Sequence, residues 1–346
     1  MMKKNIDKDF LYSKRIIVLI INLVMLFCNS ITQGQETFVN TSGSSNVGHI
    51  NINNTLGTHY QDNKRSVCLI NIGEGDSPCT GTLLNTVNQD GKRFVISSAH
   101  CIPANAKVND KIDVYLTFNY EAMNPNLRRV RRPASLSYKC ASEIRFIDSD
   151  LDQVLIEITE DENQLERAYG SVFSNLYYTG WSLDKDSTPE AYISHPFRDI
   201  KKVATISESI KLNEFWKSVP IDPDKFNTND ARFDGLITTK INGNSSIILE
   251  GGMSGSGILN DSKQLMAINL SGVPGSRFIA SLLYNNWYSI EGLSLQKFLD
   301  PHLTYVSNVP GGYGLEGGKH KINSESFNLS ISPSTIVSSP DISPNG

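Results

Sequence analysis

The sequence predicts an all-β protein. From Ser66 onward, short apolar runs rich in β-branched residues are separated by Gly, Asn and Asp, a pattern typical of strands joined by turns. Residues 112–118 alternate apolar and polar side chains, as a strand with one buried face does. The one convincing helix signal comes late, where Ser289 can cap a helix that Pro301 closes. We therefore expect strands through most of the chain and a short C-terminal helix.

Composition excludes several function classes. The chain has 346 residues, and a hydrophobic content of 39% is enough for a substantial core. Its formal net charge of -4 gives no general attraction to nucleic acid or to anionic lipid. The basic run at residues 128–132 is interpreted as a solvated loop or strand edge. No metal-ligand spacing such as HExxH occurs, so we expect no metal, no cofactor, no nucleic-acid partner and a monomeric protein.

The N-terminus predicts export. Basic residues precede the apolar run at residues 16–28, which suits the core of a signal peptide and is too short to span a bilayer comfortably. We predict a signal peptide over residues 1–35, cleaved near residues 30–35, and a secreted protein without stable membrane insertion. An uncleaved anchor is the minor alternative.

Three further regions follow the signal peptide. Residues 36–65 are rich in Asn, Thr, Ser and Gly and are predicted to be an N-terminal extension or propeptide-like arm. Residues 66–308 form the expected β domain. Residues 309–346, rich in Ser, Pro and Gly, are expected to be a flexible tail or linker.

A glycine-rich turn at residues 251–257 presents Ser254 between two apolar runs. Glycines let the backbone turn tightly and approach a ligand, and flanking strands would hold the turn rigid. A serine hydroxyl becomes a nucleophile only with a base and a carboxylate that orients the base. The sequence must therefore supply an imidazole and an acid elsewhere.

Candidates for both partners are present. His100 follows directly on an apolar run and precedes a cysteine that can fix the next turn; His195 is held in reserve as a second candidate base. Three aspartates stand just before another buried run, where a histidine could compensate a carboxylate charge. The residues alone leave Asp148, Asp150 and Asp152 open as the orienting acid.

The order His100, aspartate, Ser254 is that of the chymotrypsin clan, and several stretches resemble bacterial lysyl endopeptidases, which are secreted trypsin-like serine proteases. The resemblance runs from about residue 68 to residue 301, and the shared order of its pieces is specific where each piece alone is weak. The stretches that carry it are CTGTLLN at residues 79–85, AHC at 99–101, SDLDQVLIEI at 149–158, YTGW at 178–181, SHP at 194–196 with KK at 201–202, SGS at 254–256 and the close at 293–301.

The resemblance implies a fold and a set of roles. The fold would be two six-stranded antiparallel β-barrels of the chymotrypsin type, acting on a polypeptide substrate. His100 would be the general base and Ser254 the nucleophile. Asp152 would orient the base, because it matches the family register without a gap where Asp150 does not. The backbone N–H groups of Gly252 and Ser254 would form the oxyanion hole.

Four cysteines remain once Cys28 is removed with the signal peptide, and in an oxidising compartment they are expected to form disulfides. Composition alone leaves three pairings open. The resemblance implies a bridge between Cys79 and Cys101 that staples the histidine loop. That leaves Cys68 and Cys140 as the second expected pair, although the family partner of each is missing here.

The substrate pocket departs from the family. The lysine preference of lysyl endopeptidases rests on an aspartate before a YGR-like segment, and the corresponding short stretch at residues 273–278 holds no acid. A Lys or Arg side chain would enter such a pocket unpaired. We therefore expect an uncharged, apolar or small P1 residue. The pocket residues predicted from the resemblance are Ile248, Leu270, Ser271, Gly272 and Val273.

The sequence thus predicts a secreted serine endopeptidase that works through a Ser-His-Asp triad and an acyl-enzyme intermediate. The main alternative is a catalytically inactive binding or adhesion protein that kept the protease scaffold, since fold does not determine function. An esterase without physiological proteolysis is a third possibility. Met253 replaces the aspartate that pairs with a freed N-terminus in chymotrypsin-type zymogens, so activation through that ion pair is not expected.

Overall fold

Strands β2 to β7 close into an antiparallel barrel, here called the first barrel, in the order β2-β3-β4-β7-β6-β5. The computed structural model describes residues 49–72, 78–88, 90–122, 137–212, 214, 235–241, 251–273, 277–288, 293–302, 314–315 and 317–318. The strands of this barrel are β2 (Val67–Ile72), β3 (Cys79–Leu84), β4 (Phe94–Ser97), β5 (Lys111–Thr117), β6 (Ser137–Asp148) and β7 (Gln153–Ile158). A short strand that precedes them in the chain, β1 (Ile50–Asn51), belongs to the sheet of the second barrel.

The second barrel is also antiparallel and six-stranded. It follows the order β12-β9-β10-β11-β14-β13 and closes through the pairing of β12 with β13. The predicted chymotrypsin-like fold of two barrels is therefore confirmed. The strands of this half are β8 (Trp181–Ser182), β9 (Pro189–Ser194), β10 (Lys202–Lys211), β11 (Leu236–Ile241), β12 (Gly257–Asn260), β13 (Leu265–Val273), β14 (Arg277–Leu282) and β15 (Gly314–Leu315).

Strands β4 and β7 of the first barrel are apolar on both faces because each face meets a core. In β4, Val95 points into the first barrel, whereas Phe94 and Ile96 pack with residues of the second barrel in a shared core cluster. Leu155 of β7 lies in the same shared cluster, opposite Ile96 in the strand register. Continuous apolar runs in the sequence therefore mark the wall between the two barrels.

Helices are short and few in the described chain. The predicted late helix is present as α3 (Gln296–Leu299), and residues 289–292, where its cap was expected, lie outside the described residues. Two helices were not anticipated, α1 (Glu162–Tyr169) and α2 (Ser171–Ser174). Asp161 caps α1 by accepting bonds from the N–H groups of Asn163 (3.0 Å) and Gln164 (3.3 Å). An acid followed three residues later by Gln is a helix-capping pattern, so the start of α1 could have been predicted from the sequence. None of the helices in this part of the chain is long and apolar enough to cross a membrane.

The described half of the N-terminal arm, residues 49–65, is built into the β domain. Strand β1 pairs with β10, and the arm side chains Ile52 and Tyr60 are buried in the core shared by the barrels. Residues 36–48 and the signal peptide at residues 1–35 lie outside the described residues. The boundary between arm and domain at residues 65 and 66 stays a prediction. Residues 49–65 pack as part of the β domain.

The chain near its C-terminus also differs from the expectation of a free tail. Within the predicted tail at residues 309–346, β15 pairs with β8, and Leu315 is buried in the shared core. The Gln264 side chain donates a hydrogen bond to the Leu315 carbonyl (3.2 Å). An apolar residue in a Gly-rich stretch therefore anchors this part, and most of the tail lies outside the described residues.

The cysteines form one disulfide in the described chain, between Cys79 and Cys101. The expected pair of Cys68 with Cys140 was wrong: both are free, buried thiols. Cys68 lies on β2 and Cys140 on β6, and β5 runs between these strands. Two inter-strand spacings amount to about 10 Å, which exceeds the reach of a disulfide. Burial in the first barrel raises the pKa of each thiol to about 12, so both stay protonated small apolar groups.

His49 links the arm to the second barrel and should make stability depend on pH. Its Nε2 lies 2.8 Å from the Tyr192 hydroxyl, and burial, with a smaller contribution from the Lys202 charge, lowers the His49 pKa to about 4. The unfolded chain binds this proton near pH 6.5 and the folded chain only near pH 4. Between these values stability falls as pH falls, by up to about 3 kcal/mol.

We expect His49→Gln to remove that part of the pH dependence. The free energy of unfolding, measured by denaturant titration from pH 7 to pH 4, should fall less steeply for the variant than for the wild type. His59→Gln, which changes an exposed histidine of the same arm, is the matched control and should keep the wild-type slope. Equal slopes for His49→Gln and wild type would show that His49 is not the source of this pH dependence.

Candidate active site

His100 sits at the end of a buried strand and is fixed on both sides. Strand β4 ends at Ser97, and a 3-10 turn (Ala99–Cys101) carries the histidine. The disulfide joins Cys101 to Cys79 at the start of β3, so the turn is tied covalently to the neighbouring strand. An imidazole held in this way loses little freedom when it acts as a base.

Asp152 binds His100 through both carboxylate oxygens. The ring Nδ1–H of His100 donates to Oδ2 at 2.6 Å, and its backbone N–H donates to Oδ1 at 2.8 Å. The Asp152 side chain is 9% exposed and the His100 side chain 20% exposed. The acid is thus shielded from water, while the imidazole remains accessible from the surface. A carboxylate at Nδ1 selects the tautomer whose Nε2 is free to accept a proton.

The turn between β6 and β7 places Asp152, and not Asp148 or Asp150, against the imidazole. Asp148 Oδ1 accepts bonds from the N–H groups of Asp150 (2.8 Å) and Leu151 (3.0 Å), so this carboxylate is used within the turn. Asp152 follows with a φ of +54°, a conformation that is costly outside glycine and occurs at functional sites. The backbone there turns the Asp152 side chain onto His100.

Gln153, the next residue, anchors the acid to the second barrel. Its fully buried amide donates to the Ser281 hydroxyl (2.8 Å) and carbonyl (3.0 Å) and accepts a bond from the Asn286 side chain (3.0 Å). Gln153 was not among the site residues predicted from the sequence. A buried amide at the first position of an otherwise apolar strand was the available signal, because such a group needs partners from elsewhere.

The turn that carries Ser254 is packed against the strand end that carries His100. Gly255 has a φ of +79°, and a Cβ built on it would lie 2.1 Å from Ser97 Oγ and 2.8 Å from Ser98 N. The N–H of Thr80 donates to the Ser254 carbonyl at 2.8 Å. Ser254 itself is half-buried. The two segments predicted to hold base and nucleophile are therefore in direct contact.

His195, the reserve base, has a different environment. It is fully buried, its Nδ1 lies 2.9 Å from the Asp199 carbonyl, and its ring stacks on Tyr120 with centroids 6.0 Å apart. The group that faces its Nδ1 is thus a backbone carbonyl, where His100 has a carboxylate. Among the two histidines, His100 has the surroundings of a general base.

Three potential ligand atoms of Cys79, His100 and Cys101 lie within 4.8 Å of one another. Both sulfur atoms belong to the disulfide, so neither offers the thiolate that a metal ion needs. The three atoms lie close together because the disulfide joins Cys79 to Cys101, the residue next to His100.

Three of the predicted pocket residues are described with their side chains, and all three lie on β13. Leu270 sits at a register shift opposite β14 and packs against an apolar cluster that includes Leu151, the residue before Asp152. Ser271 and Gly272 follow, half-buried. Val273 ends the strand, and its side chain, like Ile248 and residues 274–276, lies outside the described residues. The described part of this wall is uncharged.

Gly255 should tolerate no side chain. A Cβ would clash with Ser97 and with the Thr80 carbonyl at 2.4 Å, and the positive φ adds strain. We expect Gly255→Ala to lower the free energy of unfolding by roughly 3 kcal/mol or more. Gly251→Ala is the control, because a Cβ there meets nothing within 4 Å, and its thermal unfolding midpoint should match the wild type. A stable Gly255→Ala variant would contradict the packing described here.

Comparison with known proteins gives one informative match. No curated protein matches the chain. Among solved structures, the inactive form of the Rv3671c protease is 12% identical over 67% of this chain and 88% of its own, with a TM-score of 0.38. A serine protease of a human pathogenic astrovirus is 12% identical over 63% of this chain and 90% of its own, with a TM-score of 0.34. Nothing further about this chain follows from likenesses this distant.

The family comparison covers most of the β domain. The model of the lysyl endopeptidase C-terminal domain matches residues 39–288, which include most of the arm, both barrels and all the predicted site residues. The match spans more than half of the chain and begins well before residue 66, where the domain was expected to start. The chain therefore belongs to the family of lysyl endopeptidase C-terminal domains.

Proposed function

We propose that this chain is a secreted serine endopeptidase with His100, Asp152 and Ser254 as its catalytic triad. The observation that carries the proposal is the Asp152 carboxylate bonded to both the ring and the backbone of His100. Such a pair orients a base and leaves its second nitrogen free, and the turn with Ser254 packs beside it. Family membership supports a polypeptide substrate.

The steps follow the chemistry of acyl transfer. Ser254 Oγ attacks the carbonyl carbon of the scissile peptide bond, and its proton passes to His100 Nε2. Asp152 stabilises the imidazolium that forms. The N–H groups of Gly252 and Ser254 would receive the negative oxygen of the tetrahedral intermediate.

The intermediate collapses when His100 gives its proton to the leaving amine. An ester between the peptide acyl group and Ser254 remains. Water, deprotonated by the same histidine, then attacks this ester and releases the carboxylate product and the free serine.

Secretion is supported by the disulfide at the site, since such bonds persist in oxidising compartments. The signal peptide that would direct export, with cleavage near residues 30–35, lies outside the described residues. We propose that the mature protein acts outside the cytoplasm as a monomer and without a cofactor.

Labelling with a serine-directed phosphonate tests the proposal. We expect the folded protein to gain one phosphonyl group on Ser254 and to hydrolyse peptides. Ser254→Ala should do neither. Ser256→Ala changes a fully buried serine two residues away and should keep both properties. A folded protein that binds peptides with the same affinity in wild type and Ser254→Ala, without turnover or labelling, would instead be the inactive binding protein.

The acid gives a graded test of the triad. Asp152→Asn places an amide opposite Nδ1 and stabilises the wrong tautomer of His100. We expect kcat to fall by roughly 10⁴-fold with KM little changed. Asp150→Asn is the control, because the Asp150 carboxylate is not the one bound to His100, and it should keep wild-type kinetics. Full activity of Asp152→Asn would remove Asp152 from the proposed triad.

Substrate choice is proposed to follow from the uncharged pocket wall at Leu270, Ser271 and Gly272. An ammonium group buried there without a carboxylate is strongly unfavourable. We expect a peptide with norleucine at P1 to be cleaved with a kcat/KM at least about 100-fold above that of the matched lysine peptide. Initial rates at substrate concentrations well below KM give this ratio, with Ser254→Ala as the blank. Preferential cleavage after lysine would contradict the proposed pocket.

A further inference from the structure

Thr80 joins the turn that carries Ser254 to the segment that carries His195. It is fully buried on β3, directly after Cys79. Its hydroxyl donates to the Gly252 carbonyl at 2.7 Å and accepts from the His195 N–H at 3.0 Å. Its own N–H donates to the Ser254 carbonyl at 2.8 Å. The hydroxyl thus uses both its donor and an acceptor site on backbone groups, which fixes its position.

The peptide before Ser254 is held by other donors. The Met253 carbonyl accepts from the Ser256 N–H (3.0 Å) and from the Asn269 side chain (3.3 Å). Because carbonyl and N–H point in opposite directions across a trans peptide, the Ser254 N–H faces away from these buried donors. This places one oxyanion donor on the open side of the turn.

Gly252 is the less constrained of the two donors. It has a φ of +94° and follows another glycine, so no side chain restricts rotation of the flanking peptides. The Thr80 hydroxyl holds the peptide plane between Gly252 and Met253. With this plane fixed, only the φ and ψ of Gly252 set the direction of its N–H. Without the bond, both planes around Gly252 are free to rotate.

We propose that Thr80 is a positioning residue for the oxyanion hole, which acts by holding the Gly252 carbonyl. The inference rests on the proposed serine endopeptidase function and adds a residue that touches neither the substrate nor the reacting atoms. Hydrogen-bond donors to an oxyanion stabilise the transition state more than the ground state. Loss of the Thr80 hydroxyl should therefore affect kcat and leave KM nearly unchanged.

Thr80→Val removes the hydroxyl and keeps the side-chain shape and the β3 backbone bonds. We expect kcat to fall about 10- to 100-fold, less than for outright loss of a donor, with KM within about threefold of wild type. Affinity for a peptide aldehyde, whose adduct carries the oxyanion, should fall in parallel with kcat. Thr80→Ser, which restores the hydroxyl, should recover most of the loss. All variants are compared at equal folded fraction, determined from their unfolding curves.

Thr82→Val is the matched control. Thr82 lies two residues along β3, is 1% exposed, and its hydroxyl has no hydrogen-bond partner in the described structure. It should keep the wild-type kcat and aldehyde affinity. If Thr80→Val does not fold, Thr80→Ala compared with Thr80→Ser isolates the same hydroxyl.

The outcomes separate this inference from the function on which it rests. Equal kcat for folded variants with and without the Thr80 hydroxyl would overturn the positioning role while wild-type turnover upholds the endopeptidase. A matching loss in Thr82→Val would also overturn it, because the effect would then be general to β3. Wild-type protein no more active than Ser254→Ala would overturn the function itself and, with it, this inference.

Discussion

The double hydrogen bond between Asp152 and His100 is the interaction on which the rest of the site depends. It joins the turn after β6 to the turn after β4, and each turn needs separate support to stay in place. The disulfide supports the histidine side, and Gln153 binds the acid side to the second barrel. A buried carboxylate would be costly without the imidazole and backbone N–H, so the pairing holds these two turns of the first barrel together.

Buried polar groups, more than apolar contacts, determine the geometry between the barrels. Apolar packing in the core shared by the barrels tolerates small shifts, whereas a buried amide or hydroxyl is satisfied in few arrangements. Gln153 and Thr80 are fully buried, and their hydrogen bonds cross from one barrel to the other. They therefore fix the relative position of His100, Asp152 and the turn that carries Ser254 to within the tolerance of a hydrogen bond.

Local patterns predicted much of this structure, and long-range pairing accounts for the errors. Apolar runs and turn residues predicted the all-β fold, whereas the choice of Asp152 over Asp150 came from the resemblance to lysyl endopeptidases. The expected bridge of Cys68 with Cys140 failed because the position of β5 between their strands cannot be read from spacing. The packing of the arm against the β domain was not predicted, for the same reason. The partner of β1 lies about 150 residues away, and composition carries no pairing information at that separation.

Met253 lies in the turn that carries Ser254, and this turn is held without a charged anchor. The side chain is fully buried in an apolar cluster with Tyr192 and Phe278, where an α-amino group would find no partner. The turn is held instead by neutral hydrogen bonds from Thr80 and Asn269 to its two consecutive carbonyls. These bonds form with the barrels themselves, because Thr80 is on β3 and Asn269 on β13. The hydrogen bonds that hold the turn are thus formed when the two barrels pack together.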